Sequence, residues 1–163
     1  MPNSTLLRLA LMSALLFAGL PAVAAGGGGT DTPMFGPKVQ ADPNFAAGTQ
    51  AVETGNWQAA VEAFAKVVAK DPGNADGFNM LAYAYRKSGK LDLAFKNYDE
   101  ALRLDSGHRG AHEYIGEAYL MAGNLAKAEE HLKALDRLCM FGCEQYDDLK
   151  KAVAEYKQKT ANK

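Results

Sequence analysis

A 34-residue period constrains the fold of this chain more than any other feature of its sequence. Glycines recur at that spacing at Gly55, Gly89 and Gly123, and the residues around them recur with the same offset. The matching positions are small residues (Gly48, Ala82, Gly116), alanines (Ala60, Ala94, Ala128) and large apolar residues (Phe64, Tyr98, Leu132). A fixed period of about 20 to 50 residues predicts stacked supersecondary units, which form extended binding surfaces more often than enclosed catalytic pockets.

Each repeating position has a physical reason. The small residues and the alanines are expected where two helices approach closely, because a larger side chain would push the helices apart. The recurring glycines are expected to end helices, since glycine tolerates the left-handed backbone conformation that closes many of them. Asp71-Pro72 ends the first unit, because a residue before proline avoids the helical region. The pattern therefore predicts pairs of helices joined by short turns.

These residues together resemble the tetratricopeptide repeat. In that repeat a small residue and a tyrosine precede a glycine, an aromatic residue or leucine, an alanine and a second aromatic residue. The middle unit, Ala82 to Asp105, is close to the pattern, whereas Ser106 and Met140 replace the closing proline of the later units. The resemblance implies an all-α solenoid of helical hairpins over residues 41–142. Its three units are expected at 41–74, 75–108 and 109–142.

The segment after the third unit predicts a capping helix over residues 143–159, followed by a tail at 160–163. Four apolar or aromatic residues fall at helical spacing on one face, and the opposite face is charged. Those four residues are Tyr146, Leu149, Val153 and Tyr156. A solenoid needs a terminal helix with one polar side, so this segment is expected to cover the last repeat.

The first 40 residues predict export. Residues 9–20 are apolar and are followed by small residues suited to cleavage. This layout is typical of a cleavable signal peptide over residues 1–25, removed after Ala24 or Ala25, and the apolar stretch is short for a membrane span. A periplasmic protein without a membrane span after cleavage is expected, and the alternative is an uncleaved anchor. Four glycines and two prolines in residues 26–40 predict a flexible tether.

Charge and motifs exclude several classes of function. The chain carries 18 lysines and arginines against 19 aspartates and glutamates, a formal net charge of -1. A dedicated nucleic-acid binder would concentrate basic charge, so no nucleic-acid partner is expected. No glycine-rich phosphate loop, nucleophile elbow or His-Glu-x-x-His pattern appears in the sequence. The chain is therefore predicted not to be an enzyme.

The resemblance to the repeat family implies a partner site in a concave groove lined by the first helix of each unit. Tyr83, Arg86 and Lys87 are the most partner-like set in this groove, because an aromatic ring beside two cations suits a peptide with acidic or aromatic groups. The alternative for each groove residue is a solvated side chain without a partner. The aligned positions are Phe45, Thr49 and Val52 in the first unit, Asn79, Tyr83, Arg86 and Lys87 in the second, and Glu113, Glu117 and Leu120 in the third.

Well-known members of this family clamp the C-terminal carboxylate of a peptide with lysines and asparagines. Here Met80 and Tyr83 stand where asparagines would be expected, and Glu113 adds a negative charge. The sequence therefore does not reproduce that clamp. The partner expected instead is another peptide or protein of the cell envelope.

The three histidines carry a weaker signal. His108 and His112 are four residues apart, which places two imidazoles on one helical face and suits a metal ion. No acidic or cysteine third ligand is adjacent in sequence, so turn-capping or solvent-facing roles are favoured. His131, on the second helix of its unit, is expected to face outward. No metal ion or cofactor is predicted.

Cys139 and Cys143 are the only cysteines. In an exported protein such a pair is more often a disulfide than two free thiols, and Gly142 between them can turn the chain to allow the bridge. The alternative is capture of a soft metal, since two thiolates around Met140 suit Cu(I). Two functions remain open: a non-catalytic periplasmic adaptor that binds a partner in its groove, and a thiol- or copper-handling protein that acts through the two cysteines.

Overall fold

The structure, a computed structural model, describes residues 42–161, which contain seven helices and no strand. The predicted signal peptide (1–25), the predicted tether (26–40), residue 41 and the last two residues of the predicted tail lie outside the described residues. The helices are α1 (Pro43–Glu53), α2 (Trp57–Lys70), α3 (Ala75–Lys87), α4 (Leu91–Leu104), α5 (Arg109–Met121), α6 (Leu125–Leu138) and α7 (Glu144–Ala161).

The helices pack in chain order, each against its neighbours. α1 packs on α2, α3 on α4 and α5 on α6, which makes three helical hairpins. The hairpins stack because α2 also contacts α3 and α4 contacts α5, while α7 lies against both helices of the last hairpin. The predicted all-α solenoid of helical hairpins is confirmed. α7 extends over Glu144–Ala161, where the sequence predicted a capping helix at 143–159.

The turns inside the hairpins depend on the periodic glycines. Gly55, Gly89 and Gly123 follow the first helix of each hairpin and have φ angles of 69°, 78° and 77°. This left-handed conformation is strained for any residue with a Cβ atom, which explains the glycine at every repeat. Asparagine side chains then start two of the second helices: Asn56 and Asn124 accept hydrogen bonds from backbone N–H groups of α2 and α6.

The periodic small residues mark the closest helix contacts. A Cβ atom added to Gly48 would lie 2.7 Å from the ring of Phe64, and one added to Gly116 would lie 2.6 Å from the side chain of Leu149. Leu149 belongs to α7, so the small residue of the third unit makes room for the terminal helix. Ala94 is completely buried at the matching alanine position of the second unit.

Three apolar clusters follow one another along the described chain. The first joins α1, α2 and α3, the second joins α3, α4 and α5, and the third joins α5, α6 and α7. Leu149 and Val153 are buried in the third cluster, so α7 covers the apolar face of the last hairpin as the sequence predicted for a capping helix. None of the helices described is long and apolar enough to cross a membrane.

Candidate functional site

The predicted groove residues of the second and third units come together where α3 and α5 lie side by side. The rings of Tyr83 on α3 and Tyr114 on α5 are 4.9 Å apart, and Trp57 at the start of α2 lies edge-on to Tyr83 at 6.2 Å. Arg86 and Lys87 at the end of α3 complete the group. We call these five residues, Trp57, Tyr83, Arg86, Lys87 and Tyr114, the aromatic–cation cluster.

Arg86 is the structural centre of this cluster and is only 7% exposed. Its guanidinium lies 5.2 Å from the ring centre of Tyr83 and 5.6 Å from that of Tyr114, and it forms a 2.6 Å ion pair with Glu117. The Tyr98 hydroxyl of α4 is close to the same guanidinium without a well-aligned hydrogen bond, and burial raises the pKa of that hydroxyl. Arg86 of α3 is therefore buried in contact with side chains of both α4 and α5.

Lys87 is the exposed cation of the cluster. Its ammonium lies 5.4 Å from the ring centre of Trp57 and 6.0 Å from that of Tyr83. No carboxylate in residues 42–161 forms an ion pair with it. Trp57, Tyr83 and Tyr114 are half-buried, so part of each residue is exposed. The result is an aromatic surface with a positive charge that no acidic side chain of the described chain neutralises.

Negative charge lies next to this surface, on α5 and α7. Glu117 is half-buried and holds Arg86, while Glu113, one helical turn earlier, is 7% exposed. Burial raises the pKa of Glu113 to about 8, and the negative charges of Glu117 and Asp148 add to this effect. At neutral pH the Glu113 carboxyl is therefore mostly protonated and neutral.

The structure corrects the predicted role of Asn79. Its side chain has no exposed surface, and neither amide atom has a hydrogen-bond partner in the described chain. A Cβ atom added to Gly110 would lie 3.3 Å from the Asn79 amide nitrogen, so Asn79 is covered by the start of α5. It cannot touch a partner in the groove, because the next hairpin lies over it.

Burial also changes the roles of other predicted groove residues. Phe45 is 2% exposed and packs edge-on against Phe64 with ring centres 5.3 Å apart, so it belongs to the first apolar cluster. Leu120 is buried in the third cluster. Thr49 and Val52 are half-buried, and the Thr49 hydroxyl donates to the Phe45 carbonyl oxygen. Of the six groove residues on which the prediction centred, only Tyr83, Lys87 and Glu117 reach the surface; Asn79, Arg86 and Glu113 do not.

Two members of the aromatic–cation cluster were not among the predicted groove residues. Neither Trp57 nor Tyr114 was predicted to contact a partner. The 34-residue offset places Tyr114 at the same phase as Met80, where the family resemblance implied an asparagine. The alignment therefore contained the signal for Tyr114, whereas the exposure of Trp57 depends on packing that the sequence pattern does not report.

The cysteines lie in the turn between α6 and α7. The Sγ atoms of Cys139 and Cys143 are 2.02 Å apart, and Gly142 has a φ of 87°, which turns the chain as expected. Met140 and Phe141 in this turn are 80% and 98% exposed. Sulfurs joined in this way leave no thiolate for a metal ion. The bridge in the protein isolated from cells stays a prediction.

The histidines are arranged differently from the prediction. His108 caps α5: its Nδ1 accepts from the Ala111 N–H at 3.1 Å, and its Nε2 lies 3.2 Å from an Asp76 carboxylate oxygen. His112 is turned toward His131, with their Nδ1 atoms 2.9 Å apart. The expectation that His131 faces outward is wrong, because its ring is half-buried in this contact. Within residues 42–161, no three or more His, Cys, Asp or Glu side chains are grouped so that they could hold a metal ion.

Comparisons with solved structures agree with this architecture. The type III secretion translocator chaperone SycD of Yersinia enterocolitica superimposes with a TM-score of 0.65 at 20% identity, over 72% of this chain and 83% of SycD. The second TPR domain of human RPAP3, solved with an HSP70 peptide, gives a TM-score of 0.64 at 26% identity, over 75% of this chain and 98% of that domain.

Sequence comparisons identify the family. The tetratricopeptide repeat and J domain-containing co-chaperone DNJ1 of Cryptococcus neoformans is 29% identical over 83 residues, which are 51% of this chain and only 16% of that protein. The family model described as Tetratricopeptide repeat matches residues 45–108 and again 79–142, which together are more than half of the chain. This protein therefore belongs to the tetratricopeptide repeat family.

Proposed function

We propose that this protein is a non-catalytic binding module of the cell envelope, which holds an acidic peptide or protein segment against the aromatic–cation cluster. One observation carries the proposal: Lys87 stands exposed over two aromatic rings with no acidic partner in the described chain. A surface cation held in place by rings is available to a carboxylate of a partner. Aromatic residues and arginine are also the side chains that most often dominate binding energy at interfaces.

The position of the cluster in the repeat supports the same function. It lies on the first helices of the second and third units and on the start of α2. The second TPR domain of human RPAP3 was solved in complex with the HSP70 peptide SGPTIEEVD, whose last four residues include three acidic ones. The present chain lacks the asparagines expected for a carboxylate clamp, so we assign recognition to the rings and Lys87 instead.

The proposed location rests on the N-terminal sequence. The apolar stretch and the small residues after it are typical of a signal peptide, which supports export to a periplasm. The proposed partner is therefore a peptide or protein of the envelope. The alternative function, thiol or copper handling through Cys139 and Cys143, is not proposed, because no observation in residues 42–161 favours free thiolates at these positions.

Trp57 offers a direct test, since it is the only tryptophan of the chain. Random peptides displayed on phage are selected on the immobilised protein, and the enriched peptides are then titrated while the emission of Trp57 is recorded. The proposal predicts that enriched peptides combine aspartate or glutamate with an aromatic residue. It also predicts that they change the Trp57 emission on binding.

Charge reversal identifies the cation. Lys87→Glu should weaken binding of the selected peptides at least about tenfold, because a close charge pair is worth roughly 1.5 kcal/mol or more and the reversal also adds repulsion. Lys96→Glu on the exposed side of α4 is the matched control and should leave binding unchanged. Arg86→Glu is a poor choice, since it would place a second carboxylate beside Glu117. Peptides that bind the Lys87→Glu variant equally well, with no change in Trp57 emission, would refute the proposed surface.

A further inference from the structure

The pair formed by His112 and His131 lies outside the aromatic–cation cluster and is not used by the proposed function. His112 is on α5 and His131 on α6, so the two rings meet across the third hairpin. Their Nδ1 atoms are 2.9 Å apart, and their ring centres are 5.2 Å apart. The ring of Tyr119 is nearly parallel to that of His131, with ring centres 5.6 Å apart.

The hydrogen bonds around the pair determine which nitrogen of His112 is available. Its Nε2 lies 3.1 Å from the backbone carbonyl oxygen of Ser106. A carbonyl only accepts, so this Nε2 carries a hydrogen and donates it, which leaves the Nδ1 lone pair of neutral His112 facing His131. His131 then donates its own Nδ1 hydrogen to that lone pair. A ligating histidine commonly has its second nitrogen fixed by a carbonyl or carboxylate in this way.

The two nitrogens are close enough for one metal ion to bond both of them. A metal ion bonds imidazole nitrogen at about 2.0 Å, so two nitrogens at a right angle around it lie about 2.8 Å apart, and two at a tetrahedral angle lie about 3.3 Å apart. The observed 2.9 Å, which is the length of the hydrogen bond between the two rings, lies near the lower end of this range, so a small movement of the rings would let one metal ion bond both nitrogens. Imidazole suits Cu²⁺, Ni²⁺ and Zn²⁺, and Cu²⁺ binds most tightly in the general affinity order of these ions.

We propose that His112 and His131 form a two-imidazole binding site for a late first-row divalent cation, with Cu²⁺ the preferred ion. The metal takes the place of the hydrogen shared by the two Nδ1 atoms, and His131 moves that hydrogen to its Nε2, so that both rings stay neutral. The protein supplies two ligands from residues 42–161, and water or a group of a partner completes the coordination.

The surroundings of the pair favour the neutral, ligating form of both rings. Burial lowers the pKa of His131 to about 4 and also lowers the pKa of His112. Both rings are therefore favoured in the neutral form that a metal ion requires. The charged and titratable groups that act on the pair are Asp105, His108 and Arg137 around His112, and Lys127 and Glu130 around His131.

The test uses the full chain, purified without a polyhistidine tag, and Cu²⁺ as the probe. Calorimetric titration in the presence of glycine as a weak competitor gives the stoichiometry and affinity. Electron paramagnetic resonance at less than one Cu²⁺ per chain reports the ligand atoms. The proposal predicts one tight Cu²⁺ per chain with two nitrogen ligands, and weaker binding of Ni²⁺ and Zn²⁺ in line with the general affinity order of these ions.

Three variants locate the site. His112→Gln and His131→Gln should each weaken Cu²⁺ binding at least about tenfold, as expected for the loss of a ligand. His108→Asn is the matched control and should bind Cu²⁺ normally, because asparagine also caps helices and the two His108 nitrogens face the Ala111 N–H and Asp76. Circular dichroism confirms that each variant is folded. The proposal is overturned if both glutamine variants bind as the wild type does.

A double cysteine variant distinguishes the histidine site from a site on sulfur. Replacing Cys139 and Cys143 together by serine should leave the two-nitrogen spectrum and the affinity unchanged. Loss of Cu²⁺ binding in that variant would assign the metal to sulfur and overturn the histidine site. This outcome would leave the peptide-binding proposal untouched, since neither pair belongs to the aromatic–cation cluster.

Discussion

Glu113→Gln tests whether the Glu113 side chain is a buried carboxyl that is protonated at neutral pH. Glu113 is 7% exposed on α5. Burial raises its pKa from 4.5 to about 8, with Glu117 and Asp148 as further causes and Arg86 acting in the opposite direction. In the unfolded chain the carboxyl would ionise near its ordinary pKa. Between these two values the native protein therefore binds a proton that the unfolded chain has released.

This difference makes the folded state less stable as the pH rises. The contribution is fully favourable below about pH 4.5, and it is lost progressively until the pH passes the native pKa. One pKa unit corresponds to about 1.4 kcal/mol, so the shift amounts to at most about 5 kcal/mol, of which about 3 kcal/mol falls between pH 5 and pH 8. Glutamine has nearly the same shape and cannot ionise, so the variant should lack this dependence.

Urea unfolding followed by circular dichroism at several values between pH 5 and pH 8 measures the effect. The quantity to plot is the free energy of unfolding of Glu113→Gln minus that of the wild type. His112 and His131, whose lowered pKa values act in the opposite sense at lower pH, cancel in that difference. The difference should increase with pH by up to about 3 kcal/mol.

Glu155→Gln is the matched control, because Glu155 is exposed on α7. Its difference from the wild type should stay flat across the same range. A flat line for Glu113→Gln would refute the reasoning, since it would mean that the carboxyl has the same proton affinity in both states. The Glu113 side chain would then be hydrated and accessible to a partner, as the sequence alone suggested.

Three further outcomes are expected. Ala94→Leu should lower the free energy of unfolding by about 1–3 kcal/mol in urea titrations, because the alanine is completely buried between packed helices; an unchanged value would contradict the close contact. N-terminal sequencing of the protein from cells should show removal of the first residues up to Ala24 or Ala25, and an intact Met1 on membrane-bound material would reject export to the periplasm. Mass spectrometry of the unreduced chain should show a mass lower by two hydrogens and no alkylation of Cys139 or Cys143 until reduction, whereas rapid labelling without a reductant would exclude the bridge.

The sequence predicted the hairpins well because the relevant information is local and repeated. A turn glycine or a small residue has the same neighbours in every unit, so one physical reason explains three positions. Gly55, Gly89 and Gly123 have the left-handed backbone that the period suggested. Gly116 agrees with the prediction too, although its contact with Leu149 shows that the close approach here involves the terminal helix.

The depth of the groove residues could not be predicted in the same way. Alignment to a repeat gives the phase of a residue around its helix but not how far the next hairpin covers it. Asn79 and Glu113 have equivalent phases in neighbouring units and are both buried, Asn79 beneath the start of α5 and Glu113 near the charges of α7. That burial depends on contacts between helices distant in sequence.

The histidine pair was missed for a related reason. His112 and His131 are 19 residues apart on different helices, so no short sequence motif indicates the pair. The pair is also not part of the repeat pattern, because Phe78 and Asn97 occupy the equivalent positions of the second unit. Only the folded hairpin shows that these two helix positions face each other. The four-residue spacing in the sequence instead suggested a pair between His112 and His108.

The contrast between buried and exposed charges indicates which residues select a partner. Arg86 is surrounded by two tyrosine rings and Glu117. Because Arg86 is buried, removing any one of these neighbours is expected to destabilise the fold in addition to any effect on partner binding. Lys87 also lies over the Tyr83 ring, but it is exposed and has no acidic partner in the described chain, so its loss should cost the fold little. The choice of partner is therefore expected to depend on Lys87 and the half-exposed rings, whereas Arg86 keeps those rings in place. A change of partner is expected to require few substitutions on this surface, all of them outside the buried charge network.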